Sequence, residues 1–195
     1  MNPMKKIGFL LIMVAFFVST GCNPPREKSL AKIRSLETRL FSPDAMSFDK
    51  VKADSLMILY ADFIEDHPSD SLAPGYLFKA ANLSMNSGDS KKAIELFDRY
   101  LKEYPDGINA GLSMFFKAFI YENMIRNLEK AKETYLLFIE RYPENDFVKD
   151  AEMALQNLGK TPDQIIREFE AKRQADSVQM AETQAKGKKS QSRVK

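Results

Sequence analysis

Three stretches of this chain close on one phrase: Tyr60-x2-Phe63-x3-His67-Pro68, Phe97-x2-Tyr100-x3-Tyr104-Pro105 and Tyr135-x2-Phe138-x3-Tyr142-Pro143. The terminal prolines stand 37 and 38 residues apart. That period belongs to helical solenoids, in which each unit buries its apolar face only by stacking on its neighbours. The expectation is an all-α fold of helix-turn-helix units whose function lies in surfaces.

Other landmarks keep the same register. Lys79-Ala80 returns as Lys117-Ala118, and Lys92-Ala93 returns as Lys130-Ala131, both at 38 residues. Between them, helix signals alternate with turns. Asp70 or Ser71 opens a helix with Pro74 in its first turn, Gly88 sits just past its end, and Asp89 caps the next helix, which runs to Tyr104. Pro105-Asp106-Gly107 is a turn, after which a helix from about Asn109 to Ile125 and a second, capped by Asn127, reach Tyr142.

The flanks read differently. Asn23-Pro24-Pro25 is expected to be a non-helical tether, since proline lacks an amide proton and restricts its predecessor. Leu30, Ile33, Leu36 and Leu40 then follow helical spacing up to Pro43, and a second helix after Ser47 carries Val51, Leu56, Leu59, Tyr60, Phe63 and Ile64. Beyond the repeats, a helix from about Asp146 to Leu158 ends at Gly159, and Thr161-Pro162 starts another. Its apolar positions Ile165, Ile166 and Phe169 are expected to cap the solenoid, with Val178 further out and disorder from Gly187 onward. The resulting division is a leader over 1–21, a tether over 22–28 and a solenoid over 29–170. Within the solenoid the units are 29–68, 70–105 and 108–143, with capping helices over 146–170; a helix end and basic tail fill 171–195.

The leader is an address. Lys5 and Lys6 precede an uninterrupted apolar and glycine run from Ile7 to Val18, followed by Ser19, Thr20, Gly21 and Cys22. Twelve residues reach ~18 Å as a helix, short of the ~30 Å hydrocarbon core, so the run reads as a signal peptide. It resembles a bacterial lipoprotein signal, with Thr20, Gly21 and Cys22 matching the lipobox and Ser19 standing where leucine is usual. The resemblance implies an acylated Cys22 and attachment to outer-membrane lipid. Lipoproteins kept in the inner membrane or displayed on the surface carry acids after the cysteine; Asn23-Pro24-Pro25-Arg26 has none, so the resemblance implies outer-membrane attachment facing the periplasm.

Composition closes off several chemistries. Cys22 is the only cysteine and His67 the only histidine, so no intramolecular disulfide and no cysteine-histidine metal site is expected. No GxSxG, HExxH, Walker-type glycine-rich loop or CxxC occurs. No catalytic residue and no cofactor is therefore assigned, and a histidine-free hydrolase is the remote alternative. The formal net charge is only +2, which gives no basic face of the kind that nucleic acid demands. The charge is uneven, however: Lys186, Lys188, Lys189, Arg193 and Lys195 crowd the last ten residues without an acid. This tail suits either a solvated end or contact with anionic headgroups or peptidoglycan.

From about Ala53 to Leu158 the chain resembles a tetratricopeptide-repeat lipoprotein of the bacterial envelope. Ala81, Ala93, Phe97 and Pro105 fit the family's small, aromatic and proline positions in one repeat. Ala131, Tyr135 and Pro143 fit in the next, with Phe119 in place of the small residue. Tyr100 and Phe138, standing where alanine is usual, resemble the subgroup containing the outer-membrane barrel-assembly lipoprotein BamD and the coordinator YbgF. Small lipoproteins of this class are frequent in Bacteroidota. The resemblance implies a non-catalytic scaffold for protein partners, in an outer-membrane assembly or secretion complex or as a free coordinator linking outer membrane and peptidoglycan.

The family's ligand-facing positions fall on Phe78, Asn82, Met85 and Asn86 in one repeat and on Phe116, Ile120, Asn123 and Met124 in the next. Apolar anchors beside side-chain amides suit an extended peptide or an amphipathic helix. The competing reading places Phe78, Phe116 and Ile120 in the core between helices. His67 occupies the slot of Tyr104 and Tyr142, and is expected to pack at a helix end.

Overall fold

The computed structural model describes residues 24–42 and 48–192, with side chains over 25–42 and 48–180. The leader, Cys22, Pro43 and the ends of the basic tail lie outside those residues. Eight helices make up the described part: α1 (Pro24–Leu40), α2 (Lys50–Asp66), α3 (Ala73–Asn86), α4 (Ser90–Glu103), α5 (Ala110–Ile120), α6 (Leu128–Arg141), α7 (Val148–Asn157) and α8 (Pro162–Ser192). They form two compact units divided between Ala110 and Gly111.

The repeated phrase builds the same helix end three times. At His67, Tyr104 and Tyr142 the backbone leaves the helix with φ/ψ of −136/57, −133/60 and −130/57. Each N–H still donates to the carbonyl four residues back, at 2.9, 2.8 and 2.9 Å. The proline that follows disfavours the α region at these residues, so the helix stops there. The next turn is also shared: Asp70, Gly107 and Asn145 donate to the carbonyls of His67, Tyr104 and Tyr142, each at 3.0 Å. Gly107 is required in its copy, because a Cβ would lie 2.6 Å from the Tyr100 hydroxyl. The His67 ring rests on Phe63 at 4.9 Å, as Tyr104 rests on Tyr100 at 5.5 Å, so His67 takes the packing role expected of it.

In the first unit α1 packs on α2, α2 on α3 and α3 on α4. Leu30, Ile33, Leu56, Tyr60, Phe63, Leu77, Phe97 and Tyr100 are fully buried. Tyr76 joins α3 to α2 by stacking on Tyr60 at 5.1 Å and meeting Phe63 edge-on at 5.0 Å, geometries that aromatic pairs favour. Ala81 and Ala93 are 0% exposed, which lets their helices approach closely. Asp89 caps α4 by accepting from the Lys92 N–H, and Gly88 takes φ 83° between the two helices. The Arg26 guanidinium grips both oxygens of Asp70, tying the start of α1 to the turn before α3.

In the second unit Phe115 is the hub. Its ring lies 5.8 Å from Tyr135, 5.6 Å from Phe138 and 5.0 Å from Phe147, joining α5 to α6 and to the entry of α7. Asn127 caps α6 by accepting from the Lys130 N–H. Regular α5 ends at Ile120 and continues as one π turn, Tyr121–Ile125, closed by Arg126 in the left-handed region at φ 63°.

Four expectations need correction. The helix α1 begins at Pro24, inside the segment read as a tether, because proline is tolerated in a first turn where its missing N–H would have no partner. The capping role of α8 fails: Ile165, Ile166 and Phe169 are 36%, 55% and 66% exposed and none is buried. That helix is closed at its start by a capping box, in which Thr161 and Gln164 each donate a backbone N–H to the other's side chain. It runs on to Ser192, past Gly187 where disorder was expected. Phe119 does not take the place of a small residue at a close approach, since it is 40% exposed.

Candidate functional site

The site assembles on the first helices of the first two helix pairs. A cavity of about 560 Å³ opens between α1 and α3, with α2 behind it. Glu37, Thr38 and Phe41 line it from α1, Tyr60 from α2, and Phe78, Lys79, Asn82, Leu83 and Asn86 from α3. Phe78, Asn82 and Asn86 recur every four residues, so they form one stripe of α3. Three of the four positions expected there thus come together. Met85, half-buried on α3, does not line the cavity.

Glu37 organises the wall. Its Oε1 accepts from the Tyr60 hydroxyl at 2.7 Å and from Lys79 Nζ at 2.7 Å. Burial, and then the carboxylate beside it, push the Tyr60 phenol well above its ordinary range. The phenol therefore holds its proton and remains a donor. Arg26 fixes the other end of α1, and its hydrogen bonds hold the Asp70 carboxyl below the usual carboxylate range. Lys79 also lies over the Tyr76 ring at 5.4 Å, within reach of a cation–π interaction.

The floor and rim differ in chemistry. Phe78 packs against Phe97 and Tyr100, both at 6.0 Å, and is only half-buried, so its outer edge remains open to the cavity. The competing core reading is therefore half right for this residue. Asn82 Nδ2 donates to the Phe78 carbonyl at 2.9 Å, which turns its Oδ1 away from its own helix as an acceptor. Asn86 is exposed at the rim. The cavity can grip an apolar side chain below while amide and carboxylate groups meet a backbone above.

The second unit carries its four positions differently. Ile120 is 0% exposed and is withdrawn from the groove; it is a core residue, as expected of an aliphatic side chain gaining from burial. Phe116 is half-buried, with its ring 5.8 Å from Phe115. Asn123 is exposed and donates to the Phe119 carbonyl at 3.1 Å. Met124, half-buried, lies in the π turn. Glu122 accepts from the Tyr135 hydroxyl at 2.9 Å, repeating the Glu37–Tyr60 bond, and burial followed by this carboxylate again pushes the phenol up.

Glu37, Lys79 and Tyr60 were missed by sequence reasoning as site residues. The signal available was a tyrosine in a core stripe, whose hydroxyl needs a partner once buried. Where that tyrosine is replaced by Phe97, the position 38 residues before Glu122 is Ser84. It is buried and satisfies its own hydroxyl on the Ala80 carbonyl at 2.9 Å.

The family model for the tetratricopeptide repeat matches residues 76–107 and 113–145. These two segments span most of α3–α4 and of α5–α6, each with its closing phrase. With eight helices and no strand among the described residues, the fold is an all-α tetratricopeptide-repeat solenoid. No curated protein matches the chain.

Proposed function

We propose that the chain is a non-catalytic scaffold that holds a segment of a partner protein in the α1/α3 cavity. The observation that carries this reading is the stripe of Phe78, Asn82 and Asn86 on α3, which shares a cavity of about 560 Å³ with Glu37 of α1, held in place by Lys79 and Tyr60. Tetratricopeptide repeats are a scaffold for such contacts, and an apolar floor under amide groups suits an extended or helical peptide. A photo-crosslinking amino acid at Asn86 should capture a discrete partner, and Asn82→Ala should weaken that capture. Equal capture from Lys102, exposed on α4, would remove the cavity from the proposal.

The finer reading places the chain on the outer membrane, facing the periplasm and attached through acylated Cys22, within an assembly or secretion complex. Its support is the leader sequence ending in Thr20, Gly21 and Cys22. Inhibition of lipoprotein signal peptidase by globomycin should leave the precursor accumulating. Unchanged mobility on a gel rejects the anchor. The alternative role, a coordinator reaching peptidoglycan, is supported only by the basic residues between Lys186 and Lys195; neutralising them should release the protein from purified sacculi.

A further inference from the structure

The face of α1 turned away from the core has a consistent chemistry. Lys28, Lys32, Ser35 and Arg39 follow one another by four, three and four residues, so they fall in one line along the helix. All four are exposed. They border a shallow depression of about 520 Å³ whose apolar part is Ala31 and Leu36 of α1 and Leu59 of α2, and no acid lines it. Among the described residues Lys28, Lys32 and Arg39 make no ion pair within 4.0 Å, and Arg39 Nε donates only to the Ser35 carbonyl at 3.3 Å, while the acids of this helix are used elsewhere: Glu27 pairs with Arg26 and Glu37 with Lys79. Leu36, expected in the core stripe, is instead half-buried at this surface.

We infer that this face of α1 docks on the headgroups of an anionic phospholipid surface. Charge complementarity selects the partner: three cations in line, none paired with an acid among the described residues, beside a small apolar floor. The inference rests on the anchor proposed for Cys22, which precedes the first residue of α1 by two positions. An anchor so close brings α1 to the membrane ahead of any other element. Each cation near such a surface contributes about a fivefold partition factor, screened by salt.

The test is a lysine footprint of the full chain on vesicles of phosphatidylcholine alone or with one third phosphatidylglycerol, using a water-soluble acylating reagent. On the anionic vesicles the reaction at Lys28 and Lys32 should slow about fivefold or more, with Lys91 and Lys102 of α4 unchanged. Arg39→Glu should restore the reactivity of both lysines, and high salt should do the same. Co-sedimentation with both vesicle types and equal reactivity on each overturns the docking face while leaving the anchor intact. Slowing confined to Lys186, Lys188 and Lys189 assigns the contact to the tail and overturns it as well. Protection by polyglutamate but not by anionic vesicles gives the face to an acidic protein instead. Failure to sediment with either vesicle overturns both the face and the anchor.

Discussion

The two matched repeats carry the same phrase and the same caps, but they close their first helices in different ways. α3 ends as a regular helix and turns through Gly88 at φ 83°. α5 ends in a π turn and passes through Arg126 at φ 63°, the residue 38 positions after that glycine. Position by position, half-buried Asn82 stands against fully buried Ile120. The shared register therefore fixes where helices begin and end, while the residue type at each place decides whether it belongs to a surface or to the interior.

Exchanging these residues breaks the comparison most sharply. Ile120→Asn should cost about 3 kcal/mol or more in urea unfolding, combining a lost apolar side chain with a polar group left without partners. Asn82→Ala should change stability by no more than about 1 kcal/mol. Equal effects at the two positions would mean that their burial has been misassigned.

The next effect concerns the tyrosine-carboxylate bonds. Tyr135→Phe should cost about 1–3 kcal/mol, since it removes a hydrogen bond to a charged acceptor. Phe97→Tyr, in the repeat that has Ser84 in place of a glutamate, should gain nothing and lose stability through a crowded, unpaired hydroxyl. Alkaline titration tests the same bonds. The phenols of Tyr60 and Tyr135 are raised above the ordinary 10.0, so the native state keeps protons that the unfolded chain releases. Their contribution is complete below pH 10 and is lost as pH rises beyond it. The double Phe variant should show a flatter decline in that range when the unfolding midpoint is followed against pH.

The smallest effect lies in the turn. Arg126→Gly should stabilise the protein by about 0.5–1 kcal/mol, because a side chain at positive φ is strained where glycine is not. Gly88→Ala should destabilise it by about 1 kcal/mol for the same reason. A calorimetric melt of both variants checks the pair.

Much of the fold was legible in the sequence because its signals are local. Asp89 and Asn127 cap through N–H groups three residues on, and each closing proline stops the helix immediately before it. The cavity was half legible: Phe78, Asn82 and Asn86 lie on one helix, whereas Glu37 and Lys79 meet across 42 residues, a pairing that no spacing rule supplies. The start of α1 was hidden because Pro24 and Pro25 read as helix breakers while standing in a first turn, where the rule is relaxed. Exposure of α8 was hidden because helical spacing of Ile165, Ile166 and Phe169 states which side is apolar, not whether anything lies against it.

The chain has no tryptophan and seven tyrosines, so its near-ultraviolet light is absorbed chiefly by phenols. Tyr60 in one unit and Tyr135 in the other each hold a hydroxyl against a carboxylate. An excited phenol becomes a strong acid and passes its proton to such a neighbour, which dims its emission. Each unit thus contains its own quenched phenol: the fluorescence should brighten as either bond opens, and Tyr60→Phe or Tyr135→Phe would remove that unit's share of the brightening over the steady emission of the other five tyrosines.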